Sequence, residues 1–551
     1  MEGGVALDRM TCDVLVIGGG AAGMRAAWEA KKACPEADVL LIGTGALAAG
    51  GSTNLVASEA LGINAPFNFE GDGDTPDIYY EDTVQTGGGL GSPALCRIIA
   101  DEAADRVREL MDLGIQFESR DGHPEQKKLS GCTKARSLTM GGSTGREIVR
   151  VLTQAALKAG VRLMDRMTVT RLLRDSRGVV CGAAGVSGGK AFLISAGAVV
   201  LASGGAGSMF QTNVTPPTQT GDGWAMAYDA GCRFVNMEFF QVGPAVAIPR
   251  MKFIIHSHMW RLKPKLTNGL HQEFLPSYCP PEMPPLEALD LKAMSYPFSV
   301  RTGAMYVDIA IFKEIMAGRG NEFGGIWFDV THVSGEELLR RAPITYKTLL
   351  KAGIDLAKAP MPLTLAVQNF NGGIEIDENG FTGVDGLYAA GEITGGVHGS
   401  DRPGGNNLTD TQVFGRRAGI AAARRALKHK GAAPEETDNG LMPTDREKAL
   451  IVRSEELFYK HLTIVRREEG LRETLAFIGE AQREAVCDQL KNRLTVGRLL
   501  ATAQLMRTES RGTHYREDFP KADPCFLKRI RLSKKADGTM AAAFAAGAED
   551  I

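Results

Sequence analysis

Continuous runs of hydrophobic residues that end at glycines recur along this chain. The first run occupies residues 14–17 (VLVI) and passes directly into a turn that contains Gly18, Gly20 and Gly23. Small apolar residues then continue at helical spacing to about residue 32. Short apolar runs bounded by glycine are typical of strands buried on both faces of a sheet. We therefore predict a buried strand, a glycine turn and a helix, in that order.

The same alternation predicts the other elements of an α/β fold. Further buried strands are predicted at 39–42, 161–164 and 169–173, and within 198–207 and 386–391. Apolar residues that recur every three to four positions predict helices at 93–113, 144–160 and 404–430. Strands that alternate with helices in this way favour a mainly parallel sheet covered by helices.

The pattern changes between residue 244 and about residue 362, where prolines are frequent and the strand-and-glycine alternation stops. We interpret this stretch as a separate α+β domain inserted into the α/β fold. Beyond it, the sequence predicts a polar linker at 432–443, charged helices forming a small bundle to about residue 510, and an irregular tail. The predicted boundaries are 1–243 and 364–432 for the two parts of the α/β domain, 244–363 for the insertion, and 444–551 for the C-terminal region.

The first glycine turn matches the dinucleotide-binding fingerprint G-x-G-x-x-G. In that motif Gly18 permits the tight turn, Gly20 lets the backbone approach a pyrophosphate, and Gly23 packs the helix against the strand. The helix then presents its unpaired N–H groups and positive dipole end to the phosphates. The acidic residue that usually closes the second strand to bind the ribose is missing, since Gly43 and Thr44 stand there.

Composition narrows the class of protein. The 551 residues carry 63 Lys and Arg against 65 Asp and Glu, a net charge of −2 that favours neither nucleic acid nor an anionic membrane as a partner. The nine cysteines form no C-x-x-C pair, so we predict no iron–sulfur cluster and no metal site. With no run of 18 apolar residues and no leader pattern, we expect a cytoplasmic protein without direct membrane insertion.

Four separated segments resemble one family of flavoproteins. They are VLVIGGGAAG (14–23), VVLASGGAG with TGDGWAMAYDAG (199–231), GLYAAGEITGGVHGSDRPGGNNLTD (386–410) and ESRGTHYREDFP (509–520). Their order and spacing are similar to those of the flavoprotein subunits of fumarate reductase and succinate dehydrogenase and to L-aspartate oxidase. The resemblance implies an α/β fold with a Rossmann-type FAD-binding domain, an inserted α+β capping domain and a C-terminal helical domain.

The resemblance also implies FAD as the cofactor and identifies residues that bind it. Asp222 and Glu392 match the family's cofactor-binding carboxylates, while Asn407 and Leu408 would contact the isoalloxazine edge through their backbone. The remaining positions lie in the small-residue turns and are Gly18, Gly20, Ala22, Gly23, Gly50, Gly51, Ser52, Ser203, Gly204, Gly205 and Gly391. Succinate dehydrogenases attach FAD to a histidine, but residues 1–122 contain none, so we expect non-covalent FAD.

Three residues match the catalytic groups of this family. A hydride there passes between flavin N5 and the β-carbon of a bound carboxylate, with one arginine as proton donor or acceptor and another as carboxylate clamp. Arg402 matches the clamp, and its planar fork suits a carboxylate. Arg301 falls at the proton-relay position, although Thr302 replaces the family's aspartate. His398 is predicted to lie in the flavin pocket.

The substrate-binding pattern departs from the family at two histidines. The family's Q-F-H-P reads QVGP here, with Gly243 for the histidine, and its H-Y-x-M-G-G begins with Gln368. Amides from Gln241, Gln368, Asn369 and Asn371 would replace the imidazoles, so we expect a substrate other than a simple dicarboxylate. His256 and His258 either replace the lost groups or are ordinary surface residues. Aspartate oxidases carry a glutamate for the amino group of the substrate, and Leu129 stands at that position here, which argues against L-aspartate as the substrate.

Three functions follow as hypotheses. The first is an FAD-dependent oxidoreductase acting on a carbon–carbon double bond of a non-standard small-molecule substrate. The second is an amino-acid or amine oxidase of the L-aspartate oxidase type, and the third is a flavoprotein subunit relaying electrons in a larger complex. The chain shows no haem or cluster motif, so an external redox partner such as an iron–sulfur protein is plausible.

Overall fold

A computed structural model describes residues 8–55, 59, 61–249, 251–429 and 442–545. The α-helices of this part are α1 (Ala21–Ala33), α2 (Pro76–Thr86), α3 (Pro93–Asp112), α4 (Thr144–Ala159), α5 (Asp222–Ala230), α6 (Ser257–Trp260), α7 (Pro285–Lys292), α8 (Met305–Met316), α9 (Gly335–Arg341), α10 (Pro343–Lys351), α11 (Asn406–Lys428), α12 (Asp445–Leu462), α13 (Glu468–Glu484) and α14 (Asp488–Met506). The strands are β1 (Asp8–Ile17), β2 (Val39–Ile42), β3 (Ile63–Asn64), β4 (Ser119–Arg120), β5 (His123–Pro124), β6 (Gln126–Lys127), β7 (Ser137–Leu138), β8 (Arg162–Met164), β9 (Thr168–Arg174), β10 (Val180–Ser187), β11 (Lys190–Leu201), β12 (Phe234–Val235), β13 (Phe240–Val246), β14 (Lys265–Thr267), β15 (Ile326–Asp329), β16 (Met361–Phe370), β17 (Gly373–Glu375), β18 (Leu387–Ala389), β19 (Thr394–Gly395), β20 (Ile530–Lys534) and β21 (Met540–Phe544).

A seven-stranded sheet forms the centre of the molecule. Its order is β8–β2–β1–β11–β10–β9, with β18 on the far side of β11, and the strands from β8 to β11 and β18 run parallel. The residues from Val14 to Val16 are fully buried, as the continuous apolar run predicts. Helices α1 and α11 meet where a Cβ on Gly419 would lie 2.1 Å from the Ala26 carbonyl oxygen. The predicted α/β fold of the Rossmann type is confirmed.

Glycines determine the geometry at the carboxyl end of β1. Gly18 has a φ of +123°, and a Cβ there would lie 2.2 Å from the carbonyl oxygen of Ala202, just after β11. A Cβ on Gly23 would lie 1.8 Å from the carbonyl oxygen of Gly18. These distances exclude any side chain, so only glycine allows the turn, α1 and the end of β11 to meet there.

The insertion forms a capping domain around a second, four-stranded sheet. The antiparallel order is β13–β16–β15–β14, and helices α6 to α10 lie in the same part of the chain. The sheet begins at Phe240 and ends at Phe370, so it includes a few residues on either side of the predicted insertion. Gln241 pairs with Asn369 and Val242 pairs with Val367, which leaves Gln368 as the extra residue of a β-bulge.

The C-terminal region is helical, but its tail is not irregular as predicted. Helix α12 begins with a capping box in which Thr444 and Glu447 bond each other's backbone N–H groups. After α14 the chain forms β20 and β21, which join β12, β17 and β19 in a five-stranded sheet. The prediction was wrong because β21 (MAAAF) carries few β-branched residues and depends on pairing with β20, which joins the distant β12. The predicted linker lies outside the described residues except for 442 and 443.

A buried ionic network and a backbone hydrogen bond hold the segment that follows α14 in place. The guanidinium of Arg507 is fully buried and donates to Glu238 Oε1 at 2.7 Å and to Glu509 Oε1 at 2.9 Å. A few residues on, the backbone N–H of Thr513 donates to the Ser400 carbonyl oxygen at 2.9 Å. The segment 509–520 therefore supports the loop that carries Arg402. No helix in the described ranges is both long and apolar enough to cross a bilayer.

Candidate active site

A deep cleft lies between the carboxyl end of the central sheet and the capping domain. One side is formed by the glycine turns after β1, β2 and β11, and the other by the capping domain and the start of α11. Its charged or polar lining residues are Thr44, Ser52, Thr53, Ser130, Ser203, Thr218, Gln219, Gln241, Lys252, His256, Ser257, Tyr296, Gln368, Asn369, Glu392, Arg402, Asn407 and Thr411. The cleft therefore joins the predicted cofactor region to the predicted substrate region.

The sheet side of the cleft has the features of a dinucleotide site. Gly20 faces open space, since a Cβ there would meet only Thr53 Oγ1, at 3.6 Å. Both α1 and α11 begin at the cleft, and neither has a capping N-cap side chain or an acidic residue in its first turn. In α1 the first N–H, that of Ala21, donates to Thr53 Oγ1 at 3.3 Å. The Ser52 hydroxyl is buried there without a hydrogen-bond partner. Two helix N-termini with free N–H groups and an unpaired hydroxyl suit an anionic, hydroxyl-rich ligand.

Glu392 is the carboxylate that lines this part of the cleft. Its Oε2 accepts from Gln219 Nε2 at 2.7 Å and its Oε1 from the backbone N–H of Phe370 at 3.2 Å. Burial raises the pKa of Glu392 to about 6. Asp222, the other predicted carboxylate, stands at the start of α5 outside the lining, bonded by Thr220 and by Asn492 Nδ2 at 2.8 Å. Its cofactor-binding role remains a prediction.

The predicted glycines and neighbouring small residues divide into two groups. Those that line the cleft are Gly18, Gly20, Ala22, Gly50, Gly51, Ser52, Ser203 and Gly204, together with Asn407 and Leu408 of α11. Gly23, Gly205 and Gly391 lie just behind the lining. A Cβ on Gly205 would lie 2.9 Å from Glu392 Oε1, and one on Gly391 would lie 2.7 Å from Ala22 Cβ. This second group permits close packing of the cleft wall.

Arg402 lies at the junction of the cofactor and substrate regions. Its Nη2 donates to Gln241 Oε1 at 2.8 Å, while its Nε is buried without a partner. The buried carboxylate of Asp401 accepts from the Arg402 backbone N–H at 2.8 Å, from Gln241 Nε2 at 3.2 Å and from Arg301 Nε at 3.0 Å. Arg301 therefore belongs to the same network, but it stands behind Asp401, partly exposed and outside the lining.

The amides predicted to replace the family's histidines occupy different places. Gln368, displaced by the β-bulge, lines the cleft and accepts from the Tyr296 hydroxyl at 2.7 Å. Asn369 also lines it, and its Oδ1 accepts from Asn407 Nδ2 at 2.6 Å. Asn371 is buried behind the lining, where neither of its side-chain polar atoms has a partner. Gln241, Gln368 and Asn369 are thus brought together, and Asn371 is not.

His398 is buried outside the lining of the cleft. Its Nε2 lies 3.6 Å from Asp410 Oδ2, and burial lowers the pKa of the imidazole. Of the three predicted catalytic residues, only Arg402 lines the cleft. The catalytic roles of Arg301 and His398 remain predictions.

Sequence reasoning missed the side chains that replace the family's first histidine. A Cβ on Gly243 would lie 2.7 Å from the Tyr296 hydroxyl oxygen, so the phenol occupies the space that a side chain at position 243 would need. The ring of His256 lies 4.5 Å from that of Tyr296. The missing signal is the pairing of Gly243 with Tyr296, which are 53 positions apart and share no local pattern.

His256 is not a surface residue, because it lines the cleft with only 6% of its surface exposed. Its Nε2 has no hydrogen-bond partner, and burial lowers the pKa of the imidazole to about 3. His258 lies outside the lining, 3.4 Å from Glu59 Oε2 and 3.2 Å from Thr345 Oγ1. Only the first of the two histidines can therefore contact a ligand in the cleft.

A parallel sheet whose first glycine turn opens into a capped cleft is typical of proteins that bind a dinucleotide cofactor, many of them oxidoreductases. Residues 13–408 match a family described as FAD binding domain, and residues 453–543 match one described as fumarate reductase flavoprotein C-term. The chain belongs to the fumarate reductase and succinate dehydrogenase flavoprotein family, and its cofactor is FAD. The predicted resemblance is confirmed.

Relatives and solved structures agree with this assignment. The chain is 33% identical to a subunit of the fumarate reductase (CoM/CoB) of Methanothermobacter marburgensis, covering 96% of this chain and 98% of that protein. It is 30% identical to L-aspartate oxidase of Caulobacter vibrioides, covering 93% and 94%. The structure is similar to Sdh1 of Mycobacterium smegmatis in complex with UQ1, with a TM-score of 0.84, 28% identity, and 98% and 94% coverage. It is also similar to FrdA of E. coli quinol fumarate reductase, with a TM-score of 0.81 and 25% identity, covering 98% of this chain and 97% of that chain.

Replacing Gly20 should separate cofactor binding from folding. The Gly20→Val side chain fits the extended backbone but enters the space open to a pyrophosphate. We expect the affinity for FAD to fall at least about tenfold, with an unchanged circular dichroism spectrum. The measurement is FAD titration of the apoprotein. Gly479→Val on α13, where a Cβ meets nothing within 4 Å, is the control. Unchanged FAD affinity in Gly20→Val would exclude this position from the cofactor site.

Burial of His256 should make stability depend on pH. The unfolded chain binds a proton at this imidazole below the ordinary pKa of 6.5, whereas the folded protein does not until about 3. Stability is therefore complete above pH 6.5 and falls as the pH drops, by about 2 kcal/mol at pH 5. His256→Gln should lose this dependence in urea unfolding at pH 7.5 and 5.0. The exposed His271→Gln is the control, and equal slopes in all three proteins would contradict the assignment.

Proposed function

We propose that this FAD-dependent oxidoreductase acts on a carbon–carbon double bond conjugated to a carboxylate, in a substrate that is not a simple dicarboxylate. The observation that carries the proposal is the buried, unpartnered Nε of Arg402 at the junction of the cofactor and substrate regions. A guanidinium held in this way is suited to a carboxylate. The amide of Gln368 stands where the family pattern has a histidine.

The cleft supports non-covalent binding of the cofactor. The N-terminus of α1 would hold the pyrophosphate, Glu392 and the unpaired Ser52 hydroxyl would bind cofactor hydroxyls, and the N-terminus of α11 favours negative charge at the flavin end. Bound FAD supplies a two-electron couple that exchanges a hydride with the β-carbon of the substrate while the α-carbon exchanges a proton. The side chains of the protein would orient the substrate and transfer its proton.

Arg402 and its neighbours would orient the substrate. Gln241 fixes one edge of the guanidinium and leaves Nε for the substrate carboxylate. Burial lowers the pKa of Arg402, and the adjacent Asp401 opposes that shift. The partly exposed Arg301 contacts the buried Asp401, which would make this pair a route for the substrate proton between solvent and the site.

The amino-acid oxidase alternative receives less support from the cleft. L-aspartate oxidases are among the relatives, at 30% identity for the Caulobacter vibrioides protein. A substrate ammonium needs a carboxylate, yet Leu129 lines the cleft, and Glu392, the lining carboxylate, is bonded by Gln219 and Phe370. Steady peroxide release with a simple amino acid would favour this alternative.

The third hypothesis, a flavoprotein subunit that relays electrons in a larger complex, differs from the first in needing a redox partner and no substrate site. The cleft beside the predicted flavin position is lined rather than filled by side chains, which favours a substrate site. Relatives include proteins named as subunits, such as the 8-methylmenaquinol:fumarate reductase flavoprotein subunit of Wolinella succinogenes. We propose an external redox partner, for which an iron–sulfur protein is the leading candidate, and a cytoplasmic location, which the nine free cysteines support.

The proposed reaction is tested by anaerobic reoxidation of the reduced protein. We expect flavin absorbance to return on addition of unsaturated carboxylic acids and not on addition of amino acids or their imines. The measurement is flavin absorbance against time for each compound in a panel of enoates, enones and imines. Reoxidation by oxygen alone, with reduction by an amine, would contradict the proposal and favour the oxidase.

Arg402→Lys should impair substrate use while the protein remains yellow. Lysine keeps the charge but loses the planar fork, which should cost about 2–3 kcal/mol and lower kcat/KM by about 30- to 150-fold. Steady-state kinetics with the best enoate of the panel measures this. The control is Arg417→Lys on α11, whose guanidinium contacts Glu102 outside the cleft. Unchanged kinetics in Arg402→Lys and Arg402→Ala would remove the clamp role.

A further inference from the structure

The end of the cleft beneath the capping domain is built from uncharged polar groups. The Tyr296 hydroxyl donates to Gln368 Oε1 at 2.7 Å, so the amide nitrogen of Gln368 keeps its donors. His256 packs against the Tyr296 ring with its Nε2 buried and unpartnered. All three side chains line the cleft. This cluster, the neutral cap, can donate hydrogen bonds without supplying a cation.

The neutral cap depends on the glycine at position 243. Its Cα lies so close to the phenol that any side chain there would displace Tyr296. Lys292 Nζ lies 5.9 Å from the Tyr296 centroid and is joined at 2.5 Å to Asp308 Oδ2, and both of these buried residues are outside the cleft lining. The two opposite charges pair with each other, so they add no net charge to the cap.

Among the charged side chains in and beside the cleft, one buried cation is not already paired and could bind a ligand. Within the described ranges, the lining contains three charged side chains: Arg402, Glu392 and Lys252. Glu392 is engaged by Gln219 on the cofactor side, and Lys252 is exposed and donates to Asn213 at 2.7 and 2.8 Å. Arg301, the next guanidinium, is paired with Asp401. Only Arg402 therefore faces the buried substrate region with an unpaired charged donor.

We infer that the substrate class is an α,β-unsaturated acid with one carboxylate, bound by Arg402, and an uncharged far end, bound by the neutral cap of Tyr296, Gln368 and His256. This inference rests on the proposed function. A second carboxylate would be buried at the cap without a cation, and such burial is costly. An amide or a carbonyl oxygen would instead accept hydrogen bonds from the donors of the cap, and an aromatic ring would pack on the Tyr296 ring.

The test compares acids that differ in the charge of the far end. Fumarate is matched by its monoamide, fumaramate, and trans-cinnamate provides an aromatic end. With the reduced holoenzyme under anaerobic conditions, an uncharged-end acid should reoxidise the flavin at least about tenfold faster than fumarate. Calorimetric titration of the oxidised holoenzyme should show succinamate or 3-phenylpropanoate binding at least about tenfold tighter than succinate.

A gain of charge at the cap should reverse the preference. Gln368→Lys places an ammonium beside the far end, so succinate should then bind more tightly than succinamate. Gln489→Lys adds the same charge on the exposed side of α14 and should leave the wild-type preference unchanged. If Gln368→Lys does not fold, the wild-type comparison alone decides.

The outcomes separate the two proposals. Reoxidation by fumarate as fast as by its uncharged-end partners, or equal binding of succinate and succinamate, would overturn the inference while leaving double-bond chemistry in place. If no acid reoxidises the flavin, the proposed function fails together with the double-bond part of the inference, and the titrations still decide whether the site prefers one carboxylate and an uncharged far end. Tighter binding of succinamate or 3-phenylpropanoate than of succinate then supports this preference, and absence of binding by all three acids overturns it.

Discussion

Three backbone segments meet at the carboxyl end of the central sheet more closely than any side chain would allow. The turn after β1, the start of α1 and the residue after β11 are brought together at Gly18 and Gly23, where a Cβ would lie within 2.2 Å of a carbonyl oxygen. Helix α1 can therefore begin at the sheet edge and point its free N–H groups into the cleft. The shape of the predicted cofactor end of the cleft depends on this contact.

The substrate region is assembled around that point from segments far apart in sequence. The chain returns to the sheet at β18 and continues into Glu392, and soon afterwards into the loop that carries Arg402. The capping domain contributes the neighbouring strands β13 and β16, which bring Gln241 and Asn369 opposite each other. The C-terminal segment then holds this loop by a backbone hydrogen bond from Thr513 to Ser400. The predicted cofactor and substrate regions thus share walls of one cleft.

The cofactor half of the site could be predicted because its determinants are local. Strand, glycines and helix adjoin in sequence at Gly18 and Gly20, and the second and third segments carry their own glycine turns. The substrate half could not, because position 243 determines whether Tyr296 fits, and no periodicity links them. His256 was ambiguous for the same reason, since its burial depends on packing against Tyr296. The strands β20 and β21 were missed because their pairing, rather than their composition, stabilises them.

Position 243 is coupled to the packing of the capping domain. A side chain introduced at Gly243 would collide with the phenol, so position 243 could regain an imidazole only if Tyr296 moved or became smaller. Moving Tyr296 would free Gln368 Oε1 and expose the space beside the buried pair of Lys292 and Asp308. An unpaired charge in that space would be costly. A side chain at position 243 therefore requires a compensating substitution at Tyr296, because the packing of the domain itself holds the phenol in place.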